Sequence, residues 1–270
     1  MSQLLNVALG PGSSPTACSW NLGVVSPGDP GLCIAAWRVA VGSMEHRCGS
    51  APAFRLWEDA VKSGRLLSRA ERRKVDPFLA GVFGTPERPV PVDHLEGHVA
   101  ELLWYLLTQE AERGGQPPVA LEGPSFNVTE PGGDGLAIWR LDGETFSFCL
   151  WEIKKDSSKS HVSQTISLAC RQLTTRAEKY LAKYTGIGSR QHEGELGRFY
   201  GQILDMWVDD DPSAGAGVSI GTCYHKAPKQ RSFTGLSRAF PNMARDGRLE
   251  GLIAYSTETD QAFHTHADQP

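Results

Sequence analysis

The sequence has no run of about 18 apolar residues that could form a transmembrane helix. Its first residues do not combine a basic segment with a long apolar one, so we expect no export signal. The six cysteines lie far apart without a C-x-x-C pair, which argues against both a zinc ribbon and a small disulfide framework. We therefore expect a cytoplasmic protein with reduced cysteines and no membrane association.

An excess of positive charge is also missing, since the formal net charge is -4 and the isoelectric point is about 6.1. Proteins that coat nucleic acid non-specifically usually carry a dominant positive field, so any contact with phosphate must be local. The apolar content of 40% and the charged content of 21% are those of ordinary globular domains. A chain of 270 residues can bury a sizeable core, either as one large domain or as a core with an appendage.

The chain divides into two parts that differ in pattern. Residues 1–90 are predicted to form a partly irregular, mostly helical N-terminal extension. Its apolar run 32–41 fits either a buried strand or a short helix, its residues 53–82 follow a helical period, and Ser68 with Glu71 has the signature of a capping box. Residues 91–270 are predicted to form an α/β domain.

The predicted order of elements in the second part is helix, three strands, helices and strand. Asp93 would cap the first helix, and Asp142 with Gly143 marks the hairpin between the second and third strands. A long helix follows the third strand and would end at Gly186 and Gly188. A solvated turn would begin at Asp209, after the next helix, and extend to residue 217. The predicted bounds are 93–112, 119–128, 135–141, 145–153, 162–184, 193–208, 218–224 and 249–255.

Two charged residues, Glu152 and Lys154, end the apolar face of the third strand, because a two-residue period places them beside Leu150. Ionised groups next to a core are costly unless they are paired or bind a metal. A three-residue loop between the second and third strands would pair Leu136 with Leu150 and place Asp134 opposite Glu152, whereas a two-residue turn would set the apolar faces against each other. Hydrophobic matching favours the first register, which brings two carboxylates within about 5 Å and suggests a site for a hard cation.

This combination resembles the PD-(D/E)XK nuclease superfamily, because a helix, Gly133-Asp134-Gly135, a hairpin and Glu152-Ile153-Lys154 follow one another as in that family. The resemblance covers residues 93–225 and implies a restriction-endonuclease-like core. It also implies that Asp134, Glu152 and Lys154 are catalytic. Asp134 and Glu152 would bind Mg²⁺ or Mn²⁺ with the carbonyl of Ile153, while Lys154 orients or deprotonates the attacking water. Such a metal would offset the repulsion between the carboxylates and phosphate and stabilise charge on the departing oxygen.

Many members of this family add a metal-binding glutamate from the preceding helix, and two residues qualify here. Gly97 and Glu101 match the family's G-x-x-x-E spacing, whereas helical phase favours Glu96, which lies on the apolar side of the helix. Both stay candidates. His94 and His98 lie one turn apart in the same helix, but the glutamate between them is not placed as in the zinc motif H-E-x-x-H. We interpret them as a histidine pair near solvent.

A local positive charge favours a phosphate-containing substrate. Residues 154–190 contain eight Lys or Arg against two acids, an excess of six that could follow a nucleic-acid backbone or could form a solvated helix face. The residues predicted to contact nucleic acid are Lys155, Lys159, Arg171, Arg176, Lys179 and Lys183.

Together, these features predict a Mg²⁺-dependent nuclease that hydrolyses phosphodiester bonds in DNA. The G-x-x-x-E helix followed by D and E-x-K strands also resembles the nuclease subunit of the Hachiman antiphage system. That resemblance implies a bacterial defence effector that acts beside a helicase or ATPase partner subunit. The alternative is a non-catalytic nucleic-acid-binding or assembly subunit with a nuclease-like fold. The complete set of Asp134, Glu152 and Lys154 argues against this alternative, because a binding relic need not retain all three.

Overall fold

The computed structural model describes residues 6–8, 18–25, 31–113, 115–126, 135–143, 145–157, 162–222 and 232–252 of the chain. These residues form eight helices and nine strands, which confirms the predicted mixed α/β class. The helices are α1 (Gly31–Cys48), α2 (Ala53–Ser63), α3 (Arg69–Phe83), α4 (Val92–Gln109), α5 (Val162–Gln191), α6 (Gly194–Tyr200), α7 (Ile203–Val208) and α8 (Thr234–Ala239). The strands are β1 (Asn6–Ala8), β2 (Ser19–Val25), β3 (Gly84–Thr85), β4 (Arg88–Pro89), β5 (Ala120–Glu122), β6 (Gly135–Leu141), β7 (Thr145–Asp156), β8 (Ala214–Thr222) and β9 (Ala244–Leu252). None of these helices is long and apolar enough to cross a membrane.

Seven strands form one mixed sheet in the order β1-β2-β9-β8-β7-β6-β5, and β3 with β4 forms a separate two-stranded hairpin. β5, β6 and β7 are antiparallel to one another, with a hairpin joining β6 to β7. The pairs β7–β8, β8–β9 and β9–β2 are parallel, and β1 is antiparallel to β2. A parallel pair needs a long crossover, which helices α5 to α7 provide between β7 and β8. The order helix, three strands, helices and strand is therefore as predicted.

The register between β6 and β7 is the one that hydrophobic matching favoured. Leu136 pairs with Leu150, and Leu141 pairs with Thr145, which leaves three residues to connect the strands. Gly143 in this connection has a φ angle of 80°, a backbone conformation that glycine adopts without steric cost. The predicted loop length is confirmed.

The sheet carries an apolar layer on each face, and the residues of β7 divide between the two layers. Phe148 and Leu150 join the larger core, which is completed by α5, α6 and α7. Trp151 and Ile153 point the other way and pack with α4, where the rings of Trp104 and Trp151 lie 5.9 Å apart. β7 is therefore covered on both faces, as is typical of a central strand in an α/β sheet.

The start of β8 differs from the prediction, because the strand begins at Ala214 instead of position 218. Asp209 and Asp210 form an exposed turn as expected, but the small residues after it are buried in the sheet. A Cβ atom at Gly217 would lie 2.3 Å from the ring of Trp151 on the neighbouring strand. The small residues therefore make room for a large side chain of β7 instead of ending a strand.

The long helix α5 continues through Gly186 and Gly188 to Gln191, so the prediction that these glycines end the helix is wrong. Gly188 is buried against α6, and a Cβ atom there would lie 2.1 Å from the ring of Tyr200. The glycine thus allows two helices to pack closely. The next predicted helix is divided into α6 and α7 by a turn at Gly201.

The N-terminal region packs against the elements that follow it. The apolar run 32–41 lies within α1, so the helix is the correct one of its two predicted forms. α1 packs on α4 through Ala35 and Leu103, and β2 extends the sheet beside β9. The predicted capping box is present at α3, where the Ser68 side chain accepts from the Glu71 amide and the Glu71 side chain accepts from the Ser68 amide.

Candidate functional site

Glu152 and Lys154 lie on the face of β7 that packs against the larger core, as their spacing predicted. Glu152 is 1% exposed, and its Oε1 lies 2.7 Å from the Nζ of Lys154. Val218 and Ile220 pair with these residues on β8, so apolar side chains flank the ion pair. A buried carboxylate is stable only when a cation or hydrogen-bond donors compensate its charge. Lys154 supplies that cation and extends to the surface, since 27% of its side chain is exposed.

Asp134, the third residue of the predicted set, lies outside the described residues. The described part of β6 begins at Gly135, which pairs with Trp151. The confirmed ladder thus ends one residue before the predicted pair of Asp134 with Glu152. Gly135 is closely covered, because a Cβ atom there would lie 2.2 Å from the ring of Trp104. Helix α4 therefore reaches the residue that follows Asp134 in the chain.

A further acidic residue, Asp156, shares the strand face of Glu152 and Lys154. β7 continues three residues beyond its predicted end at Ile153, which brings Asp156 into the strand. Asp156 is 5% exposed and pairs with Thr222 on β8. The two-residue period that links positions 152 and 154 could have identified it, had the strand not been ended too early. This face therefore presents a carboxylate, an ammonium and a second carboxylate in succession.

Lys155 lies on the opposite face of β7 from Lys154, where α4 packs. Its Nζ donates a hydrogen bond to Oε2 of Glu96 at 2.6 Å and another to Asp93. The Lys155 ammonium lowers the pKa of Asp93 below its ordinary range. Asp93 does not cap α4 as predicted, because the helix already begins at Val92 and the Asp93 carboxylate is engaged by the strand. The predicted nucleic-acid contact Lys155 thus has its charge compensated by two acids of α4.

Glu101, the other candidate glutamate of α4, interacts electrostatically with a buried arginine of α1. Arg47 is 6% exposed, and its Nη1 donates to Oγ of Ser43 at 2.8 Å. Its Nε donates to the carbonyl oxygen of Phe126 at 3.1 Å. Burial lowers the pKa of Arg47, and the negative charge of Glu101 opposes that shift. The N-terminal region therefore compensates the charge of Glu101 and holds the main chain at Phe126.

The environment of His98 differs from the prediction of a histidine pair near solvent, since this residue is 4% exposed. Its Nε2 lies 3.1 Å from Nη1 of Arg47. Burial, followed by the charge of Arg47, lowers the pKa of His98 to about 3. The imidazole is therefore neutral near pH 7, and its Nε2 accepts a hydrogen bond from the guanidinium. Helix α1 covers this side of α4, which the spacing of residues within α4 does not reveal.

The helix that carries Glu96 and Glu101 packs on the sheet face opposite to Glu152. Within the described ranges, no three His, Cys, Asp or Glu side chains form a group that could hold a metal ion. Asp134 does not belong to those ranges, so its pairing with Glu152 stays a prediction. That Glu96 or Glu101 of α4 joins the site also stays a prediction.

Four of the predicted nucleic-acid contacts form an exposed basic stripe on α5. The buried face of this helix packs against the sheet on the side of Glu152, and its opposite face is open to solvent. Lys159 lies outside the described residues. The members of the stripe are Arg171, Arg176, Lys179 and Lys183.

Comparison with known proteins adds no assignment. No protein-family model matches the chain, and no curated protein matches it. The side chains and contacts described above are therefore the basis for a functional proposal.

Proposed function

We propose that this chain is a metal-dependent nuclease that hydrolyses phosphodiester bonds in DNA, with Asp134, Glu152 and Lys154 as its catalytic residues. The proposal is carried by the 1% exposed carboxylate of Glu152, which contacts the ammonium of Lys154 at the end of an apolar strand face. Folding alone does not require such a pair, because apolar residues of similar volume often replace a buried ion pair without loss of stability. The register of β6 and β7 supports Asp134 as the partner of Glu152.

The chemistry of these side chains suits Mg²⁺ or Mn²⁺, because hard cations prefer carboxylate and carbonyl oxygens. Asp134, Glu152 and the carbonyl of Ile153 would hold the ion. When bound, it would offset the charge of the phosphate and of the departing oxygen. Lys154 would orient the attacking water by donating a hydrogen bond to it from Nζ. Glu152 and Lys154 pair with Val218 and Ile220 of β8, and β6 pairs with β7 as far as Trp151, so both side chains are held on an ordered strand.

The exposed basic stripe of α5 supports DNA as the substrate, because Lys and Arg side chains neutralise backbone phosphates without regard to base sequence. Action as the effector of a bacterial antiphage system, beside a helicase or ATPase subunit that presents the strand, is part of this proposal. It rests on the resemblance of the G-x-x-x-E helix and the D and E-x-K strands to the Hachiman nuclease subunit.

A non-catalytic nucleic-acid-binding or assembly subunit is the second candidate. The contact of 2.7 Å between Glu152 and Lys154 fits it as well as it fits the nuclease, because a purely structural ion pair would have the same geometry. Both candidates are consistent with DNA binding through α5. They differ because the nuclease alone requires metal binding at Asp134 and Glu152.

Cleavage assays with linear, nicked, circular and single-stranded DNA, titrated with Mg²⁺ or Mn²⁺, test the proposal on the full chain. Glu152→Gln keeps the size of the side chain and removes its charge, and we expect it to lower cleavage by about 100-fold or more. Lys154→Ala should have a similar effect. Glu195→Gln is the matched control, because Glu195 forms an exposed ion pair with Arg140. Equal cleavage by Glu152→Gln and the wild type would contradict the site.

A thermal-shift measurement covers the case in which cleavage requires a partner. Metal that binds only the folded chain stabilises it by about 2.7 kcal/mol at a concentration 100 times the Kd. We expect Mn²⁺ to raise the Tm of the wild type, and both Asp134→Asn and Glu152→Gln to abolish the rise. A rise that persists in both variants would exclude this metal site. Absence of any rise in the wild type would favour the non-catalytic candidate.

A further inference from the structure

Helix α3 begins with a group of exposed cations that makes no ion pair among the described residues. Residues 62–74 contain six Lys or Arg and one acid, Glu71, in a chain with a net charge of -4. Two of the six are paired, Lys62 with Glu58 and Arg65 with Glu71. The other four are exposed and make no ion pair with any residue that the structure describes. We name Arg69, Arg72, Arg73 and Lys74 the α3 cations.

The position of the α3 cations is unfavourable for the stability of the helix. α3 begins at Arg69, so all four lie within its first six residues. Positive charges near a helix N-terminus oppose the helix dipole, and like charges three or four residues apart repel each other. Arg69 and Arg73 are such a pair. Cations that weaken a helix and gain no ion pair within the described chain fit a role in binding an external anion.

The first turn of α3 is well formed in spite of these charges. The capping box of Ser68 and Glu71 satisfies two backbone amides, and Val75 is fully buried one turn later. The α3 cations are therefore held on an ordered helix, so an anion that binds them does not have to order the backbone first.

The other end of α3 is anchored beside the segment that leads from β5 to β6. The rings of Phe78 and Phe126 lie 6.2 Å apart, and a Cβ atom at Gly81 would lie 3.0 Å from the carbonyl oxygen of Phe126. At 1.5 Å per residue, Arg69 and Arg73 lie about 12 to 18 Å from Gly81 along the helix axis. A duplex that rises about 3.4 Å per base pair covers that distance in about four or five base pairs.

We propose that the α3 cations form a second phosphate-binding surface, which contacts the backbone of a nucleic acid. Three of the four are arginines, whose planar guanidinium matches two phosphate oxygens at once. Contacts of this kind do not depend on base sequence. The placement of this surface beside a cleavage site rests on the proposed function, whereas nucleic-acid binding by α3 does not.

Fluorescence anisotropy with a labelled duplex of about 25 base pairs, in EDTA so that nothing is cleaved, tests this surface on the full chain. Arg69→Gln/Arg73→Gln removes two α3 cations from one side of the helix. Arg55→Gln/Arg88→Gln is the matched control, because it removes two exposed cations that have no ion pair in the described chain and lie outside α3. We expect the first variant to bind about tenfold more weakly, and the slope of log Kd against log salt to decrease by about 1.8, or 0.9 per phosphate contact.

The same variant should have a slightly higher Tm than the wild type, because it removes Arg69 from the first turn and the repulsion between Arg69 and Arg73. Weaker binding with an unchanged or higher Tm supports the proposal, since damage to the fold would lower both. An affinity equal to that of the wild type overturns it, as does equal weakening by the control, and an acidic protein would then be the better partner. A wild type that binds through the α3 cations, but neither cleaves nor shows a rise in Tm with Mn²⁺, supports this surface while contradicting the proposed nuclease.

Discussion

Acidification should destabilise this protein through the buried imidazole of His98. In the folded chain its pKa is lowered from 6.5 to about 3, first by burial and then by the charge of Arg47. In the unfolded chain the pKa returns to its ordinary value, so between pH 6.5 and about 3 the unfolded state binds a proton that the folded state does not. The stabilising contribution is therefore complete above pH 6.5 and is lost as the pH falls toward 3.

The loss of stability depends on how far the pH falls within the range from 6.5 to about 3. Each pH unit within it corresponds to about 1.4 kcal/mol, so lowering the pH from 6.5 to 5 should reduce the free energy of unfolding by about 2 kcal/mol. A carboxylate with a strongly lowered pKa, that of Glu71, acts at lower pH. Glu71 has its pKa lowered from 4.5 to about 2 by its hydrogen bond with Arg65, so its contribution is lost only below pH 4.5. His46, whose pKa is lowered by burial, acts in the same direction as His98.

Urea unfolding of the wild type and of His98→Asn, measured between about pH 5 and pH 7, isolates the contribution of His98 to the free energy of unfolding. Asparagine keeps an acceptor for the guanidinium of Arg47 but does not titrate. His46 is present in both proteins, so its contribution cancels in the difference. We expect the wild type to lose about 2 kcal/mol more than the variant over this range. Parallel pH dependence of the two proteins would refute the burial of a neutral imidazole at this position.

Two further predictions concern packing and charge. Gly217→Ala places a Cβ atom 2.3 Å from the ring of Trp151, so we expect it to lower the free energy of unfolding by about 2 kcal/mol. Gly97→Ala places its Cβ atom in open space on helix α4, so it should raise the free energy of unfolding by about 0.5 to 1 kcal/mol. Urea unfolding measures both, and equal effects of the two substitutions would contradict the packing of β8. Lys155→Met should raise the pKa of Asp93 toward its ordinary value, because it removes the ammonium that lowers it. A carboxylate titration followed by NMR measures this, and an unchanged Asp93 pKa would contradict the contact.

The register of β6 and β7 could be predicted from the sequence because two independent local signals agree. The apolar residues of both strands follow a two-residue period, and only a three-residue connection places the two apolar faces on the same side of the sheet. The pairing of Leu136 with Leu150 therefore follows from the apolar pattern of the two strands. The placement of Glu152 and Lys154 on the face of the larger core follows from the same period.

Features that depend on contacts distant in the sequence could not be predicted in this way. The small residues at the start of β8 resemble a turn until the ring of Trp151, which requires Gly217, is placed beside them. Gly188 similarly resembles a helix end until Tyr200 packs against it. His98 is buried because Arg47, 51 residues earlier in the chain, covers it. In each case the local pattern is compatible with two structures, and a side chain from another element decides between them.

Positive charges counted along the sequence and positive charges without an ion pair among the described residues suggest different surfaces for binding phosphate. The excess of positive charge over residues 154–190 includes Lys154 and Lys155, yet the fold uses both to compensate carboxylates of the protein. Lys154 is poorly suited to phosphate, because transferring its contact would leave the buried carboxylate of Glu152 without its cation. The α3 cations make no ion pair in the described chain, although the net charge of the whole chain conceals them. If pairing among the described residues determines which cations are available, substitutions of the α3 cations and of Arg171, Lys179 and Lys183 on α5 should each reduce the salt dependence of DNA binding. Their effects should add, because the two surfaces lie on separate helices.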